Sequence, residues 1–345
     1  LLAQGQFDRV AAIYDDWFRR ERGAGVGGSP FDEKQAAAPA GTPAFQASAF
    51  FFENLAGHIR YLIGRGKLDT SYSRLADRCV EVVESSERSG TGLITVDAHQ
   101  VQRIGGILGR ALYHVDSAPL AGAAVNPELD CLEIQKRFAD ATPRMIWFDD
   151  FLSPEALQSL RAFCLESTMF FRLSHNHFVS SYLEEGFSCS VLFQLAAELK
   201  VRFQDVLGPL QLQNIWCYRQ APEGDGVRPH SDQAEVTFNF WITADEANLD
   251  PERGGLVVYD REQPLDWDWQ AINRDKDNPA VLKRIEDYLA NAETTAIPYR
   301  ENRAVMFYSN LFHRSDRFRF KPGYENSRMN ITLLFGHHAS RLPDE

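Results

Sequence analysis

From residue 187 onward the chain becomes a succession of short β-rich runs separated by turns: LQNIWCYRQ, AEVTFNFWIT, GGLVVYD, RAVMFYSNLFH and RMNITLLFG. Runs this short, spaced this closely, point to a sandwich or jelly roll. Alternation along each run assigns faces, because residues two apart on a strand point the same way. In VTFNFWI, Asn239 and Trp241 share a face. In RMNITLLFG, Arg328, Asn330 and Thr332 share one, and Met329, Ile331 and Leu333 take the other. A polar insertion, 260–298, interrupts the set and carries one predicted helix, NPAVLKRIEDYLANAE. A strand, a turn and a helix lead in through PRMIWFDDFLSPEALQSLRAFCLES, with Ser153 as N-cap and Pro154 at the first helical position. The expected class is α+β, a jelly-roll or cupin-like β-domain over 141–345 behind an N-terminal helical region.

The N-terminal part divides into 1–45 and 46–140. Residues 1–22 form an amphipathic helix, with Phe7, Val10, Ala11, Tyr14, Trp17 and Phe18 on one face. The spacing of Gly5, Phe7, Ala11 and Tyr14 is similar to the second half of a tetratricopeptide unit, which cannot bury its face alone. A plain amphipathic helix explains the pattern equally well. Residues 23–45, rich in Gly, Ala and Pro, read as a linker or long loop. Three helices are predicted over 46–140: FFENLAGHIRYLIGRGKL, closed by Gly66, then YSRLADRCVEVVESSE and VQRIGGILGRALYHV.

The net charge of −12 argues against sequence-independent nucleic-acid binding and against an anionic membrane surface. The five cysteines are scattered and form no C-x-x-C pair, so neither a disulfide framework nor a cysteine zinc site is expected. No apolar run approaches a membrane span of about 20 residues. The start of the sequence has no signal-peptide pattern and no initiator Met, so a cytoplasmic protein is expected, with residues upstream of the first.

The chemistry is concentrated in RPHSD. His230 and Asp232 are two apart, so on a strand both face one ion. His313, at the end of RAVMFYSNLFH, supplies a third ligand from another strand. Two His and one carboxylate occupy one face of an octahedral Fe(II) and leave three positions open. H-x-D alone is a weak signal, since the chain has nine His and His114-Val115-Asp116 repeats it. That copy follows a helical pattern, with only His175 and His177 as further candidates, and reads as a helix-end His and a turn Asp. The second copy has company: Tyr218 upstream on a strand, Gly254-Gly255 opening another, and Arg328 beginning the last. An interior-facing Arg is costly without an anion, and a bound dicarboxylate would supply one through bidentate pairing.

With these residues in that order, Leu212–Gly336 resembles the double-stranded β-helix of the 2-oxoglutarate/Fe(II)-dependent oxygenases, near the prolyl-hydroxylase-like branch. The resemblance implies that His230, Asp232 and His313 bind iron and are the catalytic centre. It implies that Arg328 pairs with the distal carboxylate of 2-oxoglutarate, with Tyr218, Asn330 and Asn239 as further co-substrate contacts. Trp241 and Trp216 are then candidates for the substrate wall. The implied cofactors are Fe(II), 2-oxoglutarate and O₂, with ascorbate as reductant. The implied reaction is hydroxylation of an unactivated C–H bond in an amino-acid-like, peptidyl or small-metabolite substrate, releasing succinate and CO₂. The distance from His313 to Arg328 is long for the family, which makes Arg317 and Arg319 competitors, although they sit in a charged turn.

Two other classes use the same residues. One is a metal-dependent hydrolase or isomerase, which needs a general base beside the metal and gives Arg328 no purpose. The other is a non-enzymatic module that binds 2-oxoglutarate or another ligand, with the N-terminal helices holding a protein partner. Trp267 and Trp269 in the insertion raise the further question of a lid over the iron.

Overall fold

The computed structural model describes residues 6–87, 93–115, 118–173, 177–268, 272 and 278–337. Its helices are α1 (Phe7–Arg22), α2 (Glu33–Ala36), α3 (Ala49–Gly64), α4 (Ser73–Ser85), α5 (Ala98–Ile104), α6 (Cys131–Asp140), α7 (Pro154–Glu166), α8 (Ser190–Arg202) and α9 (Pro279–Leu289). Strands β1 (Phe45–Ser48) and β2 (Leu93–Val96) pair among the N-terminal helices. The others are β3 (Met145–Phe148), β4 (Phe178–Tyr182), β5 (Leu212–Gln220), β6 (Glu223–Gly224), β7 (Val236–Trp241), β8 (Leu256–Glu262), β9 (Thr294–Ile297), β10 (Ala304–Tyr308), β11 (Leu311–Ser315), β12 (Phe318–Arg319) and β13 (Met329–Phe335).

Two antiparallel sheets organise the C-terminal part. The larger runs β3-β10-β7-β13-β5-β4 and the smaller β11-β8-β9, while β6 and β12 form a short ribbon. The smaller sheet is extended by a bridge between His230 and His313. The alternation read from sequence holds. Phe238, Phe240, Met306, Ile331 and Leu333 join the helices in one large core, with Phe151 5.1 Å from Phe240. Trp241, Val305 and Phe307 face the other way and pack with Leu256, Val258, Ile297 and Leu311 of the smaller sheet. The polar inward positions therefore lie between two sheets.

Three local expectations are corrected. RAVMFYSNLFH is two strands, not one: the chain turns at Ser309-Asn310, so β10 belongs to the larger sheet and β11 to the smaller. The predicted helix VQRIGGILGRALYHV ends at Ile104, where Gly105 and Gly106 raise the backbone entropy cost of continuing. The insertion is shorter than predicted, because β8 runs into it to Glu262 and β9 leaves it from Thr294. Within 23–45, α2 is a single short helix capped by Asp32, whose carboxylate accepts from Lys34 N.

The first helix docks on its own chain. Phe7 and Tyr14 stack on Phe193 of α8 at 6.3 and 6.4 Å. Phe18 is completely buried, 4.4 Å from the His114 ring. The hydrophobic core that includes this helix runs without interruption into the larger sheet. Ile13 and Trp17 remain exposed on its outer side. Among the described residues no helix is long and apolar enough to cross a membrane.

Candidate metal centre

Asp232 follows an extended segment paired to β11: His230 N donates to His313 O at 3.0 Å, and His313 N returns to His230 O at 2.9 Å. This pairing brings the two imidazoles together, with ring centroids 4.3 Å apart. Asp232 Oδ1 lies 3.8 Å from His230 Nε2, and Oδ2 lies 3.4 Å from His313 Nε2. The three ligand atoms all fall within 4.8 Å of one another.

Both rings are oriented from behind. His230 Nδ1 sits 2.8 Å from Arg228 O, and His313 Nδ1 sits 3.0 Å from Leu311 O. A carbonyl can only accept, so each Nδ1 carries a proton, and in the neutral ring each Nε2 then presents its lone pair to the centre. Asp232 is held as well: Thr237 Oγ1 donates to its Oδ2 at 2.8 Å, and Ser309 Oγ lies 2.9 Å from Thr237 Oγ1. Supporting bonds of this kind fix tautomer and rotamer at metal sites. Two neutral imidazole nitrogens and one carboxylate on a common face fit a divalent first-row metal with open positions.

Arg328 shares the interior. It is 1% exposed, and among the described residues its guanidinium donates to neutral acceptors: Gly254 O at 2.5 Å, Gly255 O at 3.1 Å, Gln220 Oε1 at 2.9 Å and Asn330 Oδ1 at 3.2 Å. Desolvation lowers its pKa to about 10, and the nearby Tyr299 and Asp316 offset this only in part. Gly255 cannot be replaced, because a Cβ there would lie 1.9 Å from Ile297 O. The double glycine thus brings backbone carbonyls up to the Arg. Trp241 is fully buried, its ring centroid 5.7 Å from the guanidinium carbon, and its indole N–H has no acceptor among the described residues. A buried cation without a carboxylate in salt-bridge contact among the described residues, beside an orphaned donor, fits a carboxylate ligand.

The remaining predicted residues lie on the same sheet face. Asn330 Nδ2 is 3.4 Å from Asn239 Oδ1 and 3.4 Å from Thr332 Oγ1. Tyr218 pairs in register with Asn330, and its hydroxyl meets that of Tyr182 at 3.1 Å. Burial, then the neighbouring Tyr182, pushes the Tyr218 phenol well above its usual range, so it stays protonated. Trp216 continues this row, 5.8 Å from Tyr182 and 6.2 Å from Tyr218. Trp241 lies deep beside Arg328 and Tyr299. Arg317 and Arg319 are exposed. His114 packs between Phe18 and Phe163, while Asp116 and His175 fall outside the described residues, as do Trp269 and His338. His337 is exposed.

Sequence reasoning missed Gln220, Thr237, Ser309 and the whole of β4 with Tyr182. Thr237 was findable, since it shares the inward face of VTFNFW with Asn239 and Trp241. Ser309 and Tyr182 carry no local signal.

No family model matches the chain, and no curated protein sequence matches it. Among solved structures it is similar to the non-haem α-ketoglutarate-dependent carbocyclase SnoK from nogalamycin biosynthesis, at 12% identity and TM-score 0.41, covering 62% of this chain and 87% of that one. It is similar to a prolyl-4-hydroxylase of Pseudomonas putida, at 13% identity and TM-score 0.38, over 60% and 99% of the two chains. HygX of Streptomyces hygroscopicus, solved with nickel and 2-oxoglutarate, gives 12% identity and TM-score 0.39 over 62% and 89%. Likenesses this distant assign neither fold nor activity to this chain.

Proposed function

We propose that the chain is a 2-oxoglutarate- and Fe(II)-dependent oxygenase whose β-domain is a double-stranded β-helix. The strand order supports the fold: from β7 in the larger sheet the chain crosses to β8 and β9 in the smaller, returns to β10, crosses again to β11 and returns to β13, so the two facing sheets are built by repeated crossing. One observation carries the function. A His-Asp-His cluster with both Nε2 atoms turned inward shares its interior with a buried Arg that has no carboxylate within salt-bridge distance among the described residues. His230, Asp232 and His313 hold the metal, and Thr237 with Ser309 keeps Asp232 aimed at it. Arg328 binds the distal carboxylate of 2-oxoglutarate, with Asn330, Asn239 and Tyr218 lining the channel between. Iron and 2-oxoglutarate, once bound, supply the oxidising chemistry with O₂, leaving succinate and CO₂. The protein positions the reactants and excludes water.

Hydroxylation of a small-molecule or peptidyl C–H bond is the reaction that fits, with Trp216 and Tyr182 on the substrate side. The buried Arg328 favours this reading over a metal hydrolase, which has no use for it. Succinate release from 2-oxoglutarate with Fe(II) and O₂ tests the assignment. It is expected in the parent protein and absent in His230→Ala.

A further inference from the structure

The insertion after β8 lies behind the metal ligands. Residues alternate along β11, so His313 faces inward against Phe307 at 4.6 Å while Phe312 faces outward. Phe312 is fully buried, in a small core with Ile272, Ile285 and Leu289 of the insertion. Trp267 and Tyr288 close over it, with ring centroids at 6.3 and 5.9 Å.

The other ligand-bearing segment is tied to the same body. Ser231, between His230 and Asp232, points away from both and donates from Oγ to Gln263 Oε1 at 2.7 Å. Gln263 is 2% exposed and is itself fixed twice: its backbone N donates to Asn310 O at 2.8 Å, and Nε2 donates to Trp267 O at 3.3 Å. Each ligand-bearing segment therefore has a neighbour of its ligands clamped by the insertion, on the face opposite the metal.

We propose that the described part of the insertion is a brace for the metal centre and not a lid, with Gln263 as a positioning residue that acts through Ser231 on His230 and Asp232. This rests on the metal reading above. Loss of supporting hydrogen bonds at metal sites weakens binding about 10- to 100-fold, and Gln263 sits one step further out.

Co(II) titration of the intact, metal-free protein, followed by visible absorption, tests the brace. Gln263→Leu is expected to weaken Co(II) about tenfold and to change the band shape that reports ligand geometry. Ser231→Ala should do the same, and the double variant should be no worse than either single one, because both remove one link. Parent-like affinity and spectrum in Gln263→Leu, or additive losses in the double variant, would overturn the proposal. Should Gln263→Leu fail to fold, Ser231→Ala decides alone, and unchanged Co(II) binding there overturns it. His230→Ala separates the two levels. If it binds Co(II) as the parent does, the metal reading falls and the brace with it. If His230→Ala loses Co(II) and the Gln263 and Ser231 variants keep it, only the brace falls.

Discussion

Arg328 sits among four neutral acceptors, between two sheets, with its pKa lowered to about 10 by burial. A ligand carboxylate would relieve that penalty and add charge-assisted hydrogen bonds, each worth about 1.5–3 kcal/mol. Arg328→Lys keeps the charge and loses the planar fork. Its affinity for 2-oxoglutarate, measured by calorimetry on metal-loaded protein, should fall roughly 10- to 100-fold. Saturating 2-oxoglutarate should raise the parent's melting temperature, by about 2.7 kcal/mol of stability at 100 times Kd, and should raise the variant's much less. Equal affinities would remove Arg328 from the site. The face of Arg328 was legible because RMNITLLFG alternates cleanly over a whole strand. Its partner Gln220 was not, since pairing of β5 with β13 is a long-range fact that no local pattern carries.

At the scale of elements, legibility follows the same division. LQNIWCYRQ is β5 residue for residue, and RMNITLLFG contains β13, because long alternating runs specify their own strands. RAVMFYSNLFH hid a sheet-to-sheet turn, since Ser309-Asn310 lacks the Gly or Pro that usually marks one. β4 and β9 were missed: the first is short and polar, and the second lies within a segment read as insertion. The first helix shows what periodicity alone leaves open. Its apolar face was read correctly at Phe7, Val10 and Phe18 but not at Trp17, which is exposed, and its partner α8 is far along the chain. Phe18 makes a separate contact beside it, its ring so close to Gly186 that a Cβ there would lie 2.4 Å away. Phe18→Ala should cost about 3–5 kcal/mol by urea denaturation, in line with emptying a fully buried aromatic site. A loss under about 1 kcal/mol would mean that the helix is not part of the cooperative unit.

Over the whole molecule, His58 ties the N-terminal helices to the β-domain. Tyr324 donates to Leu165 O at 3.0 Å and so accepts from His58 Nδ1 at 2.9 Å. Thr168 Oγ1 takes the backbone N–H groups of Leu112 and Tyr113, and so donates to His58 Nε2 at 2.9 Å. Both nitrogens are used by a neutral ring, and a second proton has no acceptor. Burial, then the nearby Arg219 charge, lowers the pKa from 6.5 to about 3. The unfolded chain therefore binds a proton that the folded one refuses. His58 contributes its stability fully above pH 6.5, and that contribution is lost as pH falls towards 3. The slope is about 1.4 kcal/mol per pH unit. Denaturation at pH 6.5 and 4.5 should show a drop that is smaller by about 2–3 kcal/mol in His58→Gln. Identical pH slopes would contradict the buried, neutral His58.

The central claim joins the metal triad and Arg328 in one reaction, and coupled measurement of O₂ uptake and succinate release tests it most directly. With Fe(II) and 2-oxoglutarate the parent protein should form one succinate per O₂ consumed, and His230→Ala and His313→Ala should form none. Turnover that persists in either variant, or its absence from a parent protein that binds Fe(II), would contradict the account.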